Sequence, residues 1–463
     1  MRENTARSSV LPVAPSRGRL RPLGLDEVRI TGGFWDRRRE VNATATLDHC
    51  REWMERVGWI GNFSAAVEGR VHRDRRGREF ADSDVYKLLE AMAWAADSGA
   101  DPALDTQIAA LTETIAPAQD ADGYLNTAFG RPGQQPRYSD LEWGHELYCY
   151  GHLIQAGVAQ ARARGEGELA KIARRAADHI CATFGPGGTE GVCGHPEIET
   201  ALVELARATG EQRYLDQAAL FVARRGHRTL ADIEFGRAYF QDDVPVRDAT
   251  VLRGHAVRAL YLAAGAVDVA VETGDEDLLA AVERQWEATV ARRTYLTGGM
   301  GSHHRDESFG DDFVLPPDRA YSETCAGVAS VMLSWRLLLA TGDPRYADLA
   351  ERTLFNVSRP PRPRTDGPSS TPTPSTAAAA APCPRSTPRA RVRSRACAPP
   401  GSRCPAARPT WRGRWPRCPR TWRRRTTAAS NCTSTPTRRS PPPSPRARPS
   451  RCGSAPTTRP AAA

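Results

Sequence analysis

From Arg359 to Ala463 the chain contains no Leu, Ile, Met, Phe, Tyr, Lys, Glu, Gln or His, although the preceding 358 residues use all of them. Without large aliphatic side chains a segment cannot bury enough apolar surface to offset an ordering cost of roughly 1–2 kcal/mol per residue. Val392, Trp411, Trp415 and Trp422 are almost the only large apolar residues in this stretch, so disorder is expected over 359–463. It also holds 23 Arg against a single acid, Asp366, a net charge of +22; the whole chain is +10, so the part before it carries about −12. The sequence pI of 9.2 therefore reports on the tail. The part able to fold is acidic.

Other absences narrow the class further. The cysteines before the tail, Cys50, Cys149, Cys181, Cys193 and Cys325, are odd in number and scattered, which argues against a disulfide framework. No stretch of about 18 apolar residues is expected anywhere. Met1 to Leu23 is polar and Arg-rich, with no apolar run of signal-peptide length, so the expectation is a soluble cytoplasmic chain with no membrane segment. Period-two patterns are confined to Glu27–Thr31 and Ala238–Phe240. The glycines around Thr297–Gly301 lack phosphate-loop spacing and follow no strand, which excludes that mode of nucleotide binding. The chain thus divides into an arm over 1–24 expected to be disordered, a folding body over 25–358 and the tail over 359–463.

What the body does have is a recurring helical pattern, in which an apolar-periodic segment breaks at a Gly and a second segment follows. The breaks are Asp97-Ser98-Gly99, Ala163-Arg164-Gly165, Ala208-Thr209-Gly210, Glu272-Thr273-Gly274 and Ala340-Thr341-Gly342. Each Gly suits a left-handed helix C-cap, and the polar residues after it suit the next N-terminus. The second segments resemble one another, as in Arg213-Tyr214-Leu215-Asp216 and Arg345-Tyr346-Ala347-Asp348. Five hairpins and a further helix near Asp36–Val57 predict a mainly α fold, an (α/α)6 toroid. Loops between pairs gather on one face of such a ring, where polar clusters carry chemistry.

Three Gly-His pairs stand near expected helix starts, at His145, His195 and His255. Singly each reads as a cap or core residue; together, three imidazoles at one mouth could hold ligand hydroxyls, each ring offering a donor and an acceptor. Between Tyr295 and Arg319 lies the most polar loop of the body, with Glu307 as a carboxylate that a Gly-rich loop could bring to a ligand; taken alone, a solvated acidic loop is the plainer reading of the residues. After it, Glu323 and Cys325 stand at the start of a strongly apolar helix. A helix N-terminus favours a thiolate. Two residues apart, they would point about 200° away from each other in regular helix, so they share a metal only if the pair precedes the first turn. A buried structural Cys is the plainer reading.

The body resembles glycoside hydrolase family 127, whose founding activity is a β-L-arabinofuranosidase. The resemblance rests on Ile30-Thr31-Gly32-Gly33-Phe34-Trp35, His145-Glu146-Leu147-Tyr148, Gly194-His195-Pro196-Glu197-Ile198-Glu199, Gly254-His255-Ala256-Val257-Arg258, Thr297-Gly298-Gly299-Met300-Gly301 and Tyr321-Ser322-Glu323-Thr324-Cys325-Ala326. It implies an (α/α)6 barrel followed by β-sandwich domains. It further implies Glu307 as general acid/base, Glu323 and Cys325 as two zinc ligands, and His145, His195 and His255 as holders of sugar hydroxyls. The family's other two zinc ligands are adjacent cysteines in a Cys-Cys-Pro-Pro-Asn motif, the first being the nucleophile of a retaining double displacement on an L-arabinofuranose-containing glycoside.

This chain has no such motif in its written frame. When each codon from Cys404 to Trp411 is re-read as its third base plus the first two of the next, Ser-Cys-Cys-Pro-Pro-Asn-Val is an allowed translation. Arg, Pro, Ala, Ser and Thr are the residues GC-rich coding DNA yields out of frame, and the expectation is a frameshift near residue 357 that leaves this copy inactive. Two alternatives stay open. One is a same-fold glycosidase with a carboxylate nucleophile from Asp311, Asp312, Asp242 or Asp243. The other is a non-enzymatic module whose Arg-rich tail binds nucleic acid, although a tail without Lys or spaced repeats makes nucleic acid the weaker partner. Self-association as a homodimer is left open.

Overall fold

Why the Gly-punctuated segments pair is visible in a computed structural model that describes residues 10–97 and 102–358. The expected disordered tail over 359–463 and the break at Gly99 lie outside the described residues. A single helical run covers the stretch expected near Asp36–Val57: α1 (Gly33–Val41), a π turn over Asn42–Thr46, and α2 (Leu47–Arg56). Two short helices follow, α3 (Gly61–Val67) and α4 (Val71–Asp74). Then come five hairpins: α5 (Ala81–Asp97) with α6 (Pro102–Ile115), α7 (Glu146–Arg164) with α8 (Glu168–Phe184), α9 (Ile198–Thr209) with α10 (Gln212–Arg224), α11 (Ala256–Thr273) with α12 (Glu276–Arg292), and α13 (Thr324–Thr341) with α14 (Pro344–Asn356).

The turns work as their residues dictate. Gly210, Gly274 and Gly342 close α9, α11 and α13 in the left-handed conformation, which costs a residue without Cβ little. Gly165 also has positive φ but continues extended. The Asp275 carboxylate accepts from the Leu278 N–H and Asp343 from the Arg345 N–H, satisfying donors that would otherwise be orphaned at the helix start.

Two layers follow from the hydrophobic patterns. α7 buries residues all round its axis, among them Leu147, Tyr150, Leu153, Ile154 and Val158, so it must be an inner helix. Its partner α8 buries one stripe, including Leu169, Ile172, Ala176 and Ile180, as an outer helix does. The inner helices pack in order, α5 on α7, α7 on α9, α9 on α11 and α11 on α13. The outer layer closes on itself: Phe34 and Trp35 of α1 meet Phe355 of α14 with ring centroids 5.8 and 5.1 Å apart. On the other side the Gln107 amide of α6 donates to Asp48 of α2 at 3.3 Å. The mainly helical toroid expected from the sequence is the observed architecture.

Three expectations need correction. Neither β-patterned stretch is a strand: Arg237–Phe240 is a 3-10 turn. Near Glu27, a turn forms instead because the Glu27 carboxylate accepts from the Gly24 N–H and from Arg21. Short alternation with no neighbouring strand has nothing to pair with. Second, one 18-residue helix, Thr324–Thr341, with hydropathy 1.4, is long and apolar enough by length and composition to cross a membrane. Its apolarity serves packing on α11 and α14. Third, residues 10–24 of the segment expected to be a disordered arm run across the C-terminal ends of the inner helices. There the Arg19 N–H donates to the Leu339 carbonyl at 2.9 Å, the Ser16 N–H to Glu272 at 3.0 Å, and Arg162 to the Leu11 carbonyl at 3.0 Å.

That C-terminal face also holds a buried ion network. Asp268 of α11 accepts from Arg207 of α9 at 2.9 Å and from Arg336 of α13 at 2.5 Å; Arg207 reaches Glu204 and Glu272 at 2.5 and 2.7 Å, and Glu204 meets Arg162 of α7 at 2.7 Å. Four inner helices are thereby tied at one end of the ring.

Candidate active site

Because every inner helix returns through an antiparallel outer one, the inner N-termini share the opposite face. The three Gly-His pairs arrive there for a common reason. At Gly194 and Gly254 the backbone presses against a neighbouring loop, so that a Cβ would collide with the Glu142 and Ala238 carbonyls respectively. Each following His is thereby fixed at the mouth. His145 caps α7 in a left-handed conformation at φ 59°; His195 lies just before α9; His255 caps α11. Ring centroids are 5.8 Å apart for His145 and His195 and 6.1 Å for His195 and His255, with Tyr148 4.4 Å from His195.

The hydrogen bonds settle which nitrogen carries each proton. The His195 Nδ1 faces the Pro196 carbonyl at 2.9 Å, and the His145 Nδ1 faces the Trp143 carbonyl. A carbonyl only accepts, so both Nδ1 atoms donate and both Nε2 atoms are left as acceptors. At His255 the order is reversed. The Arg258 N–H donates to Nδ1 at 3.4 Å, so Nε2 bears the proton that it gives to the Glu307 Oε2 at 3.0 Å. Burial pushes all three imidazoles below their ordinary pKa, His145 to about 3, with the nearby Arg258 cation adding to the effect. At neutral pH they are uncharged, two acceptors and one donor.

Glu307 is placed by its loop. The Ala256 N–H donates to the Glu307 carbonyl at 3.0 Å, and the Phe309 N–H to the Gly254 carbonyl at 2.9 Å. The loop is thus stitched to the start of α11, with Glu307 itself at φ 59°. The hydrogen bond from His255 holds its half-exposed carboxyl below the usual range against the opposing effect of burial, and the Tyr321 hydroxyl contributes in the same direction. The Tyr321 hydroxyl donates to the Glu323 Oε2. The phenol has one proton, given to Glu323, and stands beside Glu307.

Glu323 is the N-cap of α13 in an extended conformation, which resolves the angular objection to its pairing with Cys325. The pair straddles the helix start, close enough for the Glu323 carboxylate to act on the Cys325 thiol. Burial first, then the Glu323 charge, pushes the Cys325 thiol up to about 12. A bound cation would reverse this by favouring the thiolate. Among the described residues, however, no group of three or more His, Cys, Asp or Glu side chains is arranged to hold a metal ion. Two donors fall short of the four that a tetrahedral zinc site takes. The described residues do not by themselves build the zinc site that the resemblance implies.

Three of the four alternative carboxylates are committed elsewhere. Asp242 is buried and accepts from the Gly226 and Leu230 N–H groups at 3.0 and 2.8 Å. Asp243 pairs with Arg253, and Asp312 with Arg292 and Arg293; Asp311 is exposed. Two site residues escaped the sequence reading of roles. Tyr321 donates to Glu323 beside Glu307. Arg258, buried, has its guanidinium 5.4, 5.3 and 5.2 Å from the Trp143, Tyr239 and Phe240 rings. Both stand inside quoted motifs, Arg258 one helical turn after His255, and that spacing was the available signal.

The family description "Beta-L-arabinofuranosidase, GH127 catalytic domain" matches residues 27–361. The chain belongs to glycoside hydrolase family 127. Within this family, the non-reducing end beta-L-arabinofuranosidase of Bifidobacterium longum is 36% identical, over 72% of this chain and 56% of its own length. The GH127 beta-L-arabinofuranosidase of Geobacillus stearothermophilus T6 superposes with a TM-score of 0.69 at 36% identity, covering 72% of this chain and 56% of that one. A second GH127 beta-arabinofuranosidase gives a TM-score of 0.67 at 35% identity over 71% and 53%. The chain spans little more than half the length of these GH127 relatives.

Proposed function

We propose that this GH127 chain carries the acid/base and sugar-holding half of a retaining β-L-arabinofuranosidase, and that the copy as written is catalytically silent. The observation that carries the reading is the His255–Glu307 contact at 3.0 Å in the company of His145 and His195. Two neutral imidazole acceptors suit hydroxyl groups of a sugar. A carboxyl whose second oxygen is tied to an N–H donor keeps its first oxygen free for proton transfer. Zinc, bound by a full set of four ligands, would supply ionisation of a cysteine thiol; Glu323 and Cys325 are half of such a set.

Glu307 in its protonated form gives its proton to the departing glycosidic oxygen as a cysteine thiolate attacks the anomeric carbon, breaking the C–O bond and forming a C–S bond. The Glu307 carboxylate then takes a proton from water, the water oxygen attacks the same carbon, and the sulfur leaves as thiolate. Both displacements invert, so the anomeric configuration is retained. The resting Glu307, held as carboxylate by His255, is ready for the second step. Exclusion of water by a bound sugar raises its pKa toward what the first step needs. The attacking cysteine belongs to the Ser-Cys-Cys-Pro-Pro-Asn-Val reading of the codons from Cys404 to Trp411, which the written frame does not translate.

The test is hydrolysis of 4-nitrophenyl β-L-arabinofuranoside. The written chain is expected to show none, and a frame-restored protein to release nitrophenol with retention by NMR. Glu307→Gln in that protein should lose on the order of 10²–10⁴-fold in kcat. Hydrolysis by the written chain at the restored rate would remove the claim of silence. Full activity of the Glu307→Gln variant would remove the acid/base assignment.

A further inference from the structure

Of the three mouth histidines only His145 has its backbone in the left-handed region, at φ 59°, and Tyr138, seven residues earlier, lies there too at φ 57°. A residue with a Cβ keeps that conformation only where its surroundings over-determine it. The stretch between them is a closed turn. The Asp140 carbonyl accepts from the Gly144 N–H at 2.9 Å, and the Asp140 carboxylate from the Trp143 N–H at 2.8 Å. One side chain ties the two strained ends together. Glu146, the first residue of α7 and the neighbour of His145, accepts from the Tyr138 N–H on Oε2 at 2.7 Å and from the Tyr124 hydroxyl on Oε1 at 2.5 Å. It is 2% exposed. No step of the double displacement uses this carboxylate. The cation beside it, Arg137, lies 3.9 Å over the Tyr124 ring and is taken by Asp120 and Asp122, both at 2.6 Å. Glu146 thus faces two loop donors, the Tyr150 phenol on its own helix and the Asp140 carboxylate in the turn. Burial pushes its carboxyl up to about 7 against the two hydrogen bonds and Arg137.

We propose that Glu146 is a positioning residue of the sugar site, a latch whose carboxylate ties the loop carrying Tyr124 and Tyr138 to the start of α7 and so holds His145 in the conformation that presents its ring to the sugar. This role rests on the reading of His145 as a sugar ligand. A carboxylate accepts from both donors at once. A carboxylic acid has one oxygen occupied by its own proton, so protonation leaves either the Tyr138 N–H or the Tyr124 proton without an acceptor. The latch is closed when Glu146 is ionised and loosens when it is not.

The groups packed around the latch keep their state near neutral pH. His179 of α8 gives its Nδ1 proton to the Asp122 carbonyl at 3.0 Å and accepts the Tyr138 hydroxyl on Nε2 at 2.9 Å, and burial holds it below its ordinary pKa. The phenols of Tyr124, Tyr138 and Tyr150 are pushed up by burial. His145, His195 and His255 are held low by burial, and His255 holds Glu307 below the usual carboxylate range. Among these groups the Glu146 charge is the one that changes between pH 6 and 8. Sugar affinity should therefore fall as pH drops through this interval, with the sugar-holding imidazoles themselves remaining neutral.

The experiment uses the full written chain, for which methyl β-L-arabinofuranoside is a probe that is bound and not hydrolysed. Calorimetry should show its affinity falling about fivefold from pH 8 to pH 6, the worth of one hydrogen bond, with a midpoint near 7. Without glycoside, hydrogen–deuterium exchange over residues 138–145, corrected for the intrinsic pH dependence of exchange, should lose protection over the same interval. Glu146→Gln copies the protonated form: it should bind about fivefold more weakly than wild type at pH 8, match it at pH 6, and flatten both profiles. Tyr124→Phe removes a donor that stabilises the carboxylate, so it should move the midpoint upward. A carboxylate that merely supports the fold would shift no midpoint. Wild-type affinity and protection in Glu146→Gln, profiles that persist in that variant, or an unmoved midpoint in Tyr124→Phe would each overturn the proposal. If Glu146→Gln does not fold, the Tyr124→Phe midpoint decides alone. Protection that follows Glu146 in a chain that binds no arabinofuranoside at any pH would remove the sugar-site reading and leave the latch on His145 standing.

Discussion

Both ends of the ring gather buried polar and charged side chains and treat them in opposite ways. At the C-terminal end every carboxylate of the network faces an arginine: Asp268 takes Arg207 and Arg336, Glu204 takes Arg162 and Arg207, and Glu272 takes Arg207 and the Ser16 N–H of the N-terminal strap. At the N-terminal end the groups are left with bonding capacity to spare. Two imidazoles present a bare Nε2, Glu307 takes a neutral imidazole and Glu323 a phenol rather than an arginine, and Cys325 keeps its proton. Pairing of opposite charges holds inner helices together; groups without a counter-charge leave valences for a ligand. The same inner helices supply both ends, so the fold separates stability from chemistry along its own axis.

The strongest way to break this contrast is at Asp268. It is 2% exposed, and replacing it by Ala leaves Arg207 and Arg336 short of a counter-charge in the interior. Removing one partner of a buried pair costs about 3–5 kcal/mol. Denaturant unfolding of Asp268→Ala should show a loss of that order. A loss under about 1 kcal/mol would mean that the network is solvated and that the two ends do not differ.

Much of the fold could be read because its signals are local. Gly210, Gly274 and Gly342 end helices through a backbone conformation that the residue type announces, and the capping acids Asp275 and Asp343 follow the last two at once. The Gly-His pairs were legible as a group because a tight backbone approach needs Gly wherever it recurs. What stayed hidden is long-range. Asp268 meets Arg207 and Arg336 across 61 and 68 residues, and a single Asp or Arg on an apolar helix gives no pattern to count. The strap over residues 10–24 has the composition of an unstructured arm. It is held by bonds such as Arg19 N–H to the Leu339 carbonyl, and side-chain statistics are blind to those. Tyr321 could be quoted in its motif, yet its place beside Glu307 depends on the loop meeting the start of α13 through the Ser322 N–H and the Gly301 carbonyl.

A second, smaller effect sharpens the contrast through pH. His145 is held down to about 3 by burial and by Arg258. When the chain unfolds, His145 returns to an ordinary value near 6.5 and takes up a proton in acid, whereas the folded state does not. Stability is therefore complete above about pH 6.5 and falls as pH drops toward 3. The slope is on the order of 1.4 kcal/mol per pH unit for each such histidine. His195 and His255 shift in the same direction. The variant His145→Asn, which tolerates the left-handed conformation, should remove about one proton from the slope between pH 6 and 4. An unchanged slope would place the His145 ring in water.

The smallest effect is expected where function is densest. Glu307→Gln keeps a carbonyl-type oxygen to accept from the His255 Nε2, and the side chain is half exposed, so loss of its charge should alter stability by less than about 1 kcal/mol at pH 7. The folded Glu307 is held below its ordinary pKa, so its contribution is present above the unfolded value near 4.3 and disappears as pH falls through the folded value. Wild type and Glu307→Gln should thus converge in stability below about pH 4 and differ slightly above it. A loss beyond 2 kcal/mol at neutral pH would make Glu307 a structural member of the ring like Asp268. A near-zero change, beside the large cost at Asp268, is what a carboxylate reserved for a ligand requires.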